Sequence, residues 1–192
     1  MTPPPPFANT SAVQPFPEQI TWSRPEPFGA WVRFGDSLLL AVDLDLAAKL
    51  GVPAGRALTA APAPLEIHIA VTTRCYAPCV GCYLDARPDG TDVPLDDLLV
   101  RLQAARAAGA STVAFGGGEP LLRADLPRRA AAARALGLVP VLTTSGAGLT
   151  RTRAAELTAF AQINVSHDGA GPAYEAVRGY DGAAVAERAI SA

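Results

Sequence analysis

From residue 65 onward, short apolar runs alternate with longer stretches in which leucine and alanine recur at helical spacing. The runs Leu65–Val71, Thr112–Phe115, Val139–Thr143 and Gln162–Ser166 carry β-branched residues and read as strands. Between the first two, Pro94 suits a first helical turn, Asp96 and Asp97 suit its positive end, and Leu95, Leu98, Leu99 and Leu102 form an apolar stripe that Gly109 stops. A second helix is predicted over Ala124–Leu136, ended by Gly137, and a third after Thr150, whose hydroxyl suits an N-cap. A last helical run covers Ala183–Ala192. Strands alternating with helices imply a parallel sheet joined by right-handed crossovers, with its chemistry at the carboxyl ends of the strands.

The pattern is different before residue 65. Residues 1–27 carry Pro3–Pro6 and further prolines at 15, 17, 25 and 27, so an extended or disordered arm is expected there. In residues 28–64, Gly29–Phe34 and Ser37–Val42 flank Gly35-Asp36 and read as a β-hairpin; Asp43–Leu50 reads as a short helix stopped by Gly51. This makes a small cap ahead of a third region, residues 65–192.

Composition adds little to that picture. Apolar residues make up 49%, enough for a substantial core, and the formal charge of −2 leaves no electrostatic footprint for nucleic acid. The start Met-Thr-Pro-Pro-Pro-Pro lacks the basic flank and apolar run of a signal peptide, and no stretch is long enough to span a membrane, so a cytoplasmic location is expected.

The chemistry is concentrated in Cys75-Tyr-Ala-Pro-Cys79-Val-Gly-Cys82, which holds the only three cysteines of the 192 residues. A zinc site wants four nitrogen or sulfur ligands, and His68 and His167 are poor candidates for the fourth. Disulfides leave one thiol over. Three thiolates suit a cubane iron-sulfur cluster better, with one iron left open to a small molecule. Chance clustering and a degenerate zinc knuckle remain the bland alternatives. His68, between Ile67 and Ile69, reads as a hydrogen-bonded barrel position, and His167 as pointing to the opposite face from its neighbours.

With Tyr83 directly after it, this cysteine loop resembles that of the radical S-adenosylmethionine (radical SAM) superfamily. Downstream, Gly116-Gly117-Gly118-Glu119-Pro120 is similar to the family's GGE motif, Val141–Gly146 to its third-strand segment, and Ser166-His167-Asp168-Gly169 with Arg178-Gly179 to the peptide- and protein-modifying branch that often carries SPASM-like domains. The resemblance implies a partial (β/α)6 TIM-like barrel, of which about four βα units are present, behind the hairpin cap. It implies a [4Fe-4S] cluster on Cys75, Cys79 and Cys82, and S-adenosyl-L-methionine held by Tyr83 near the adenine, Gly117 and Gly118 in the backbone cradle, Glu119 on the methionine ammonium and Ser166 on the ribose or carboxylate. Asp168 is read as a cap of the following turn. Gly81 stands where many members carry an aromatic residue.

The implied activity is reductive cleavage of S-adenosylmethionine to a 5′-deoxyadenosyl radical that abstracts hydrogen from a substrate, with a peptide or protein as first expectation, as in a maturase. A reductase or a flavodoxin- or ferredoxin-type donor would supply the electron. The alternative is a truncated or split fragment that binds a cluster but stays inactive without the remaining barrel units, which a C-terminal partner chain would supply. No nucleic acid, membrane or non-cofactor catalytic residue is implied.

Overall fold

The computed structural model describes residues 19–192 apart from 37, 56 and 58. The chain divides between Ala60 and Ala61 into two compact units. In the first, strands β1 (Ile20–Glu26), β2 (Gly29–Phe34) and β3 (Leu38–Asp43) form an antiparallel sheet in that order. Helix α1 (Leu44–Lys49) follows, its N-terminus capped by Asp43, which accepts from the Leu46 amide at 2.8 Å. Ala30, Val32, Phe34, Val42 and Ala47 make a small core of their own.

The arm expected over residues 1–27 therefore needs correcting at its carboxyl end. Residues 20–26 pair with β2, and Pro25 is accommodated because β1 is an edge strand, where a missing N–H costs no ladder bond. The buried ion pair of Arg24 and Glu26 further fixes this strand. The rest of that expectation, residues 1–18, lies outside the described residues.

The second unit contains a four-stranded parallel sheet in the order β4 (Glu66–Thr72), β5 (Thr112–Gly117), β6 (Val139–Thr144) and β7 (Gln162–Val165). Helices α2 (Leu95–Ala107), α3 (Leu126–Ala135) and α4 (Arg151–Glu156) connect successive strands; α5 (Pro172–Arg178) and α6 (Ala183–Ile190) follow. The sheet is thus the α/β, partial-barrel arrangement with four βα units. Register aligns Ile69, Phe115, Leu142 and Ile163 in one row. This row packs with Leu98 and Leu102 of α2, Leu126 of α3, Leu157 and Phe160 in a single core. Phe115 and Phe160 meet edge to face with centroids 5.8 Å apart, a favourable ring geometry. The alternation of a strand sends Ile69 and Val71 into that core and His68 and Ala70 to the other face.

Local signals set the boundaries. Thr150 caps α4 by accepting from the Arg153 amide at 3.2 Å, and Gly109 and Gly137 end α2 and α3 with positive φ. The helix expected from Ala124 begins at Leu126, because Pro120–Leu122 forms a separate 3-10 turn. No helix among the described residues is long and apolar enough to cross a membrane.

Candidate functional site

The carboxyl ends of the parallel strands open onto a cleft of about 560 Å³ within the second unit. Cys75, Cys79, Cys82, Tyr83, Gly117, Gly118, Glu119 and Ser166 all line it, although they come from three separate strand ends. Parallel topology explains the convergence, since every strand delivers its following loop to the same edge.

The cysteine loop leaves β4 and is anchored at its two ends. Thr73 donates to the Thr91 carbonyl at 2.8 Å, Cys75 to Arg87 at 2.9 Å, and Arg87 back to Thr73 at 3.1 Å. Gly81 lies at φ +71, a left-handed conformation that an aromatic residue would adopt only with strain. All three cysteines are free thiols, with Cys82 exposed and Cys75 and Cys79 half-buried. Burial pushes the Cys75 thiol up; the Ala77 amide, 3.4 Å from its sulfur, pulls the other way, and Glu119, Cys79 and Cys82 push it up again. The Cys75 thiolate is thus disfavoured in the free chain.

The donor set fits an iron-sulfur cluster in kind, being three soft, unpaired sulfurs around one cleft. Among the described residues no three His, Cys, Asp or Glu side chains gather closely enough to hold a single ion.

The glycine run meets this loop backbone to backbone. Gly118 donates to the Thr72 carbonyl and Glu119 to the Arg74 carbonyl, both at 2.8 Å. Gly117 (φ +133) has no room for a side chain, since a Cβ there would lie 2.2 Å from the Thr72 oxygen. These glycines thus also pack β5 against the root of the cysteine loop, a role beyond the cofactor cradle that the resemblance implies.

Glu119 is also more committed than expected. It is only 4% exposed. Its Oε1 accepts from the Leu121 amide (2.9 Å) and Thr144 Oγ1 (2.6 Å), and its Oε2 from the Ser145 amide (2.9 Å) and Ser145 Oγ (2.5 Å). A carboxylate offers about four lone-pair directions, and all are used. A ligand ammonium would have to share or displace one of these donors, the Ser145 hydroxyl being the most easily turned. Thr144 and Ser145 are site residues that the sequence reading quoted without a role; their signal was a pair of hydroxyls at the end of a barrel strand.

The remaining expectations divide. Tyr83 lines the cleft but is 85% exposed, so nothing yet packs its ring. Ser166 follows β7, its amide donating to the Thr144 carbonyl at 2.8 Å. Asp168 does not cap its turn; it pairs with Arg178, ten residues away, which offers a charge where the turn offers only an amide. His68 bonds Glu66 at 2.9 Å from a largely exposed position on the cleft wall. His167 stacks edge-on to Tyr174, centroids 6.0 Å apart.

A charged network holds the frame behind the loop. Asp92 accepts from Thr72 Oγ1 (2.6 Å) and Arg74 Nε (3.0 Å) and pairs with Arg123 (2.6 Å), which also pairs with Asp125 (2.8 Å). Arg129, fully buried, joins Asp125 at 2.9 Å and donates to the Val93 carbonyl at 2.7 Å. Partial burial pushes the Asp125 carboxyl up, but hydrogen bonds from Arg129 and Arg123, with their charges, outweigh it and hold it at about 2. A carboxylate depressed in the fold stabilises above its unfolded value, roughly 4, and loses that contribution as pH falls toward 2. Asp125→Asn should therefore lower the urea midpoint most at about pH 6 and by roughly half as much at about pH 3, where the folded carboxyl is still ionised, with equal losses at both counting against the assignment.

Comparison with solved structures agrees with the fold. Streptococcus suis SuiB bound to precursor peptide SuiA superposes with a TM-score of 0.60 at 17% identity, over 91% of this chain and 53% of that one. SuiB bound to S-adenosylmethionine gives 0.59 at 16% identity, over 88% and 51%, and SuiB alone 0.58 at 18%, over 88% and 50%. This chain thus spans about half the length of the structures it matches. The sequence model of the Radical SAM superfamily matches residues 69–190, from the middle of β4 to the end of α6, and takes in every residue lining the cleft except His68. On that match, which takes in well over half of the sequence, the chain belongs to the radical SAM superfamily.

Proposed function

We propose that this chain is the cluster-bearing part of a radical SAM enzyme that acts on a peptide or protein. The carrying observation is that Cys75, Cys79 and Cys82 line one cleft with Gly117, Gly118, Glu119 and Ser166. Cys75, Cys79 and Cys82 would hold a [4Fe-4S] cluster, which when bound supplies the electron that cleaves S-adenosylmethionine and so yields a 5′-deoxyadenosyl radical.

The protein's own part is binding and orientation. Glu119, with Ser145 yielding its hydroxyl bond, receives the methionine ammonium; Ser166 offers a hydroxyl to the ribose or carboxylate; Tyr83 supplies a ring for the adenine. The peptide substrate rests on the Ser166-to-Gly169 and Arg178-Gly179 motifs, and is supported by the precursor peptide bound to the matched SuiB.

Anaerobic reconstitution with iron and sulfide, reduction by dithionite, and electron paramagnetic resonance with and without S-adenosylmethionine test this directly. A reduced-cluster signal that changes on addition, with 5′-deoxyadenosine formed, is the expected result; Cys79→Ala should lose the four-iron signal. A cluster that ignores S-adenosylmethionine would favour the cluster-binding fragment, and a chain that takes up no iron would overturn both readings.

A further inference from the structure

The middle of the cysteine loop has little holding it. Among the described residues, the backbone of residues 76–81 makes no hydrogen bond to another strand or helix; its one backbone donor is the Ala77 amide, bonded to Cys75 Sγ within the loop. Burial does not hold it either, because Tyr76, Val80 and Tyr83 are each more than 70% exposed. Loops with exposed backbone and few apolar contacts open at low free energy. Yet this stretch carries Cys79, one of the three thiols that line the cleft.

One distant segment does reach it. At the end of α5, Arg178 Nη1 lies 4.0 Å from Cys79 Sγ, while its Nε is bonded by Asp168. The next residue, Gly179, adopts φ +75 and passes so close to the loop that a Cβ would lie 2.5 Å from the Pro78 carbonyl oxygen. Tyr180 then lines a second cavity of about 280 Å³ together with Cys75, Tyr76, Ala77 and Pro78, and is joined to Tyr174 through their hydroxyls at 3.4 Å. Three consecutive residues therefore face residues 75–79, each by a different means: a cation to a sulfur, backbone to backbone, and ring to cavity wall.

We propose that Arg178-Gly179-Tyr180 is a brace for the cysteine loop, in which Asp168 aims the Arg178 fork at Cys79 and Gly179 seats the Pro78 backbone. The sequence-specific demands follow. Arginine is needed because its planar fork serves Asp168 and the sulfur at once, which a lysine ammonium serves less well. Glycine is needed because no other residue allows both the left-handed backbone and the close approach. Asp168 and Arg178 are positioning residues here, acting on Cys79 rather than on a substrate. The brace rests on the proposed function only for its purpose; the contacts themselves exist in the metal-free chain.

The test is limited chymotrypsin cleavage, read by peptide mass, on the reduced metal-free chain and its Arg178→Met, Asp168→Asn and Gly179→Ala variants; the loop carries the exposed Tyr76 and Tyr83, and cleavage there requires the segment to open into the protease. Cleavage after Tyr76 and Tyr83 should rise several-fold in Arg178→Met and Gly179→Ala, and by less in Asp168→Asn, while cleavage after Phe115 in β5 and Leu142 in β6 keeps wild-type rates. Arg178→Lys, which keeps the charge and loses the fork, should recover part of the protection. Unchanged loop cleavage in both Arg178→Met and Gly179→Ala would overturn the brace. So would acceleration spread evenly over the sheet, which would make the segment part of the core instead. Reconstitution of wild type reads the proposed function separately, so a failure to load iron with the cleavage pattern intact would sink that reading and leave the brace standing.

Discussion

An alanine at position 117 is expected to cost on the order of 3 kcal/mol and to strip the chain of most of its capacity to take up iron, whereas an alanine at 116 should do neither. The two glycines are neighbours at the end of β5 and look equivalent in sequence. Their surroundings differ completely. A Cβ on Gly116 meets nothing within 4 Å, while one on Gly117 would sit 2.2 Å from the Thr72 oxygen, on a backbone with φ +133. The backbone is the obstacle, and it cannot rotate away as a side chain would. Relief would require β5 and β4 to part where Gly118 donates to Thr72 and Glu119 to Arg74. Since Arg74 precedes Cys75, that separation moves the first thiol. Urea denaturation and iron per chain after reconstitution, measured for both variants, decide the matter. A Gly117→Ala protein with wild-type stability and iron content would show that the close packing of β5 on the cysteine loop has no consequence.

The second large effect is expected at Glu119. Removing its carboxylate in Glu119→Ala leaves four donors, from Leu121, Thr144 and Ser145, without their acceptor in a nearly closed space. Buried donors deprived of a charged partner cost about 1–3 kcal/mol each when water cannot replace it. Water will reach some of these, so a total on the order of 3 kcal/mol and a melting point lower by roughly 10 °C are expected. Loss of S-adenosylmethionine affinity should accompany the loss of stability. If Glu119 served only to hold a ligand ammonium, the melting point of the free protein would not move. Glu119→Gln should fall between the two, because its amide presents hydrogens to Ser145, where the carboxylate presents an acceptor.

The sequence made the barrel strands legible because each is short, apolar, β-branched and bounded by a glycine or a capping residue. The strand expected over Leu65–Val71 is Glu66–Thr72, and the one expected over Val139–Thr143 ends at Thr144. β1 was not legible, because Pro25 counts against a strand in any local reading and is tolerated only where the strand has a free edge. The eight expected site residues do share a cleft, but the partners that fix them do not show in local spacing. Glu119 is held by residues 25 and 26 positions later, and Cys79 is approached by an arginine 99 positions away. Such pairings come from strand order, which periodicity does not encode. The glycine run was the subtler case: its composition suggested room for a ligand, and the structure uses part of it to bring two chain segments together.

The alternation along β4 has a consequence for how such a protein changes over time. Ile69 and Val71 are locked among the helices, and their replacement would be felt by the whole unit. His68, one step away on the same strand, looks into the cleft from a largely exposed position. Selection can therefore act on the two faces separately. A lineage could exchange His68 for a bulkier, smaller or charged residue and so reshape the cleft wall, while the fold beneath it is left almost untouched.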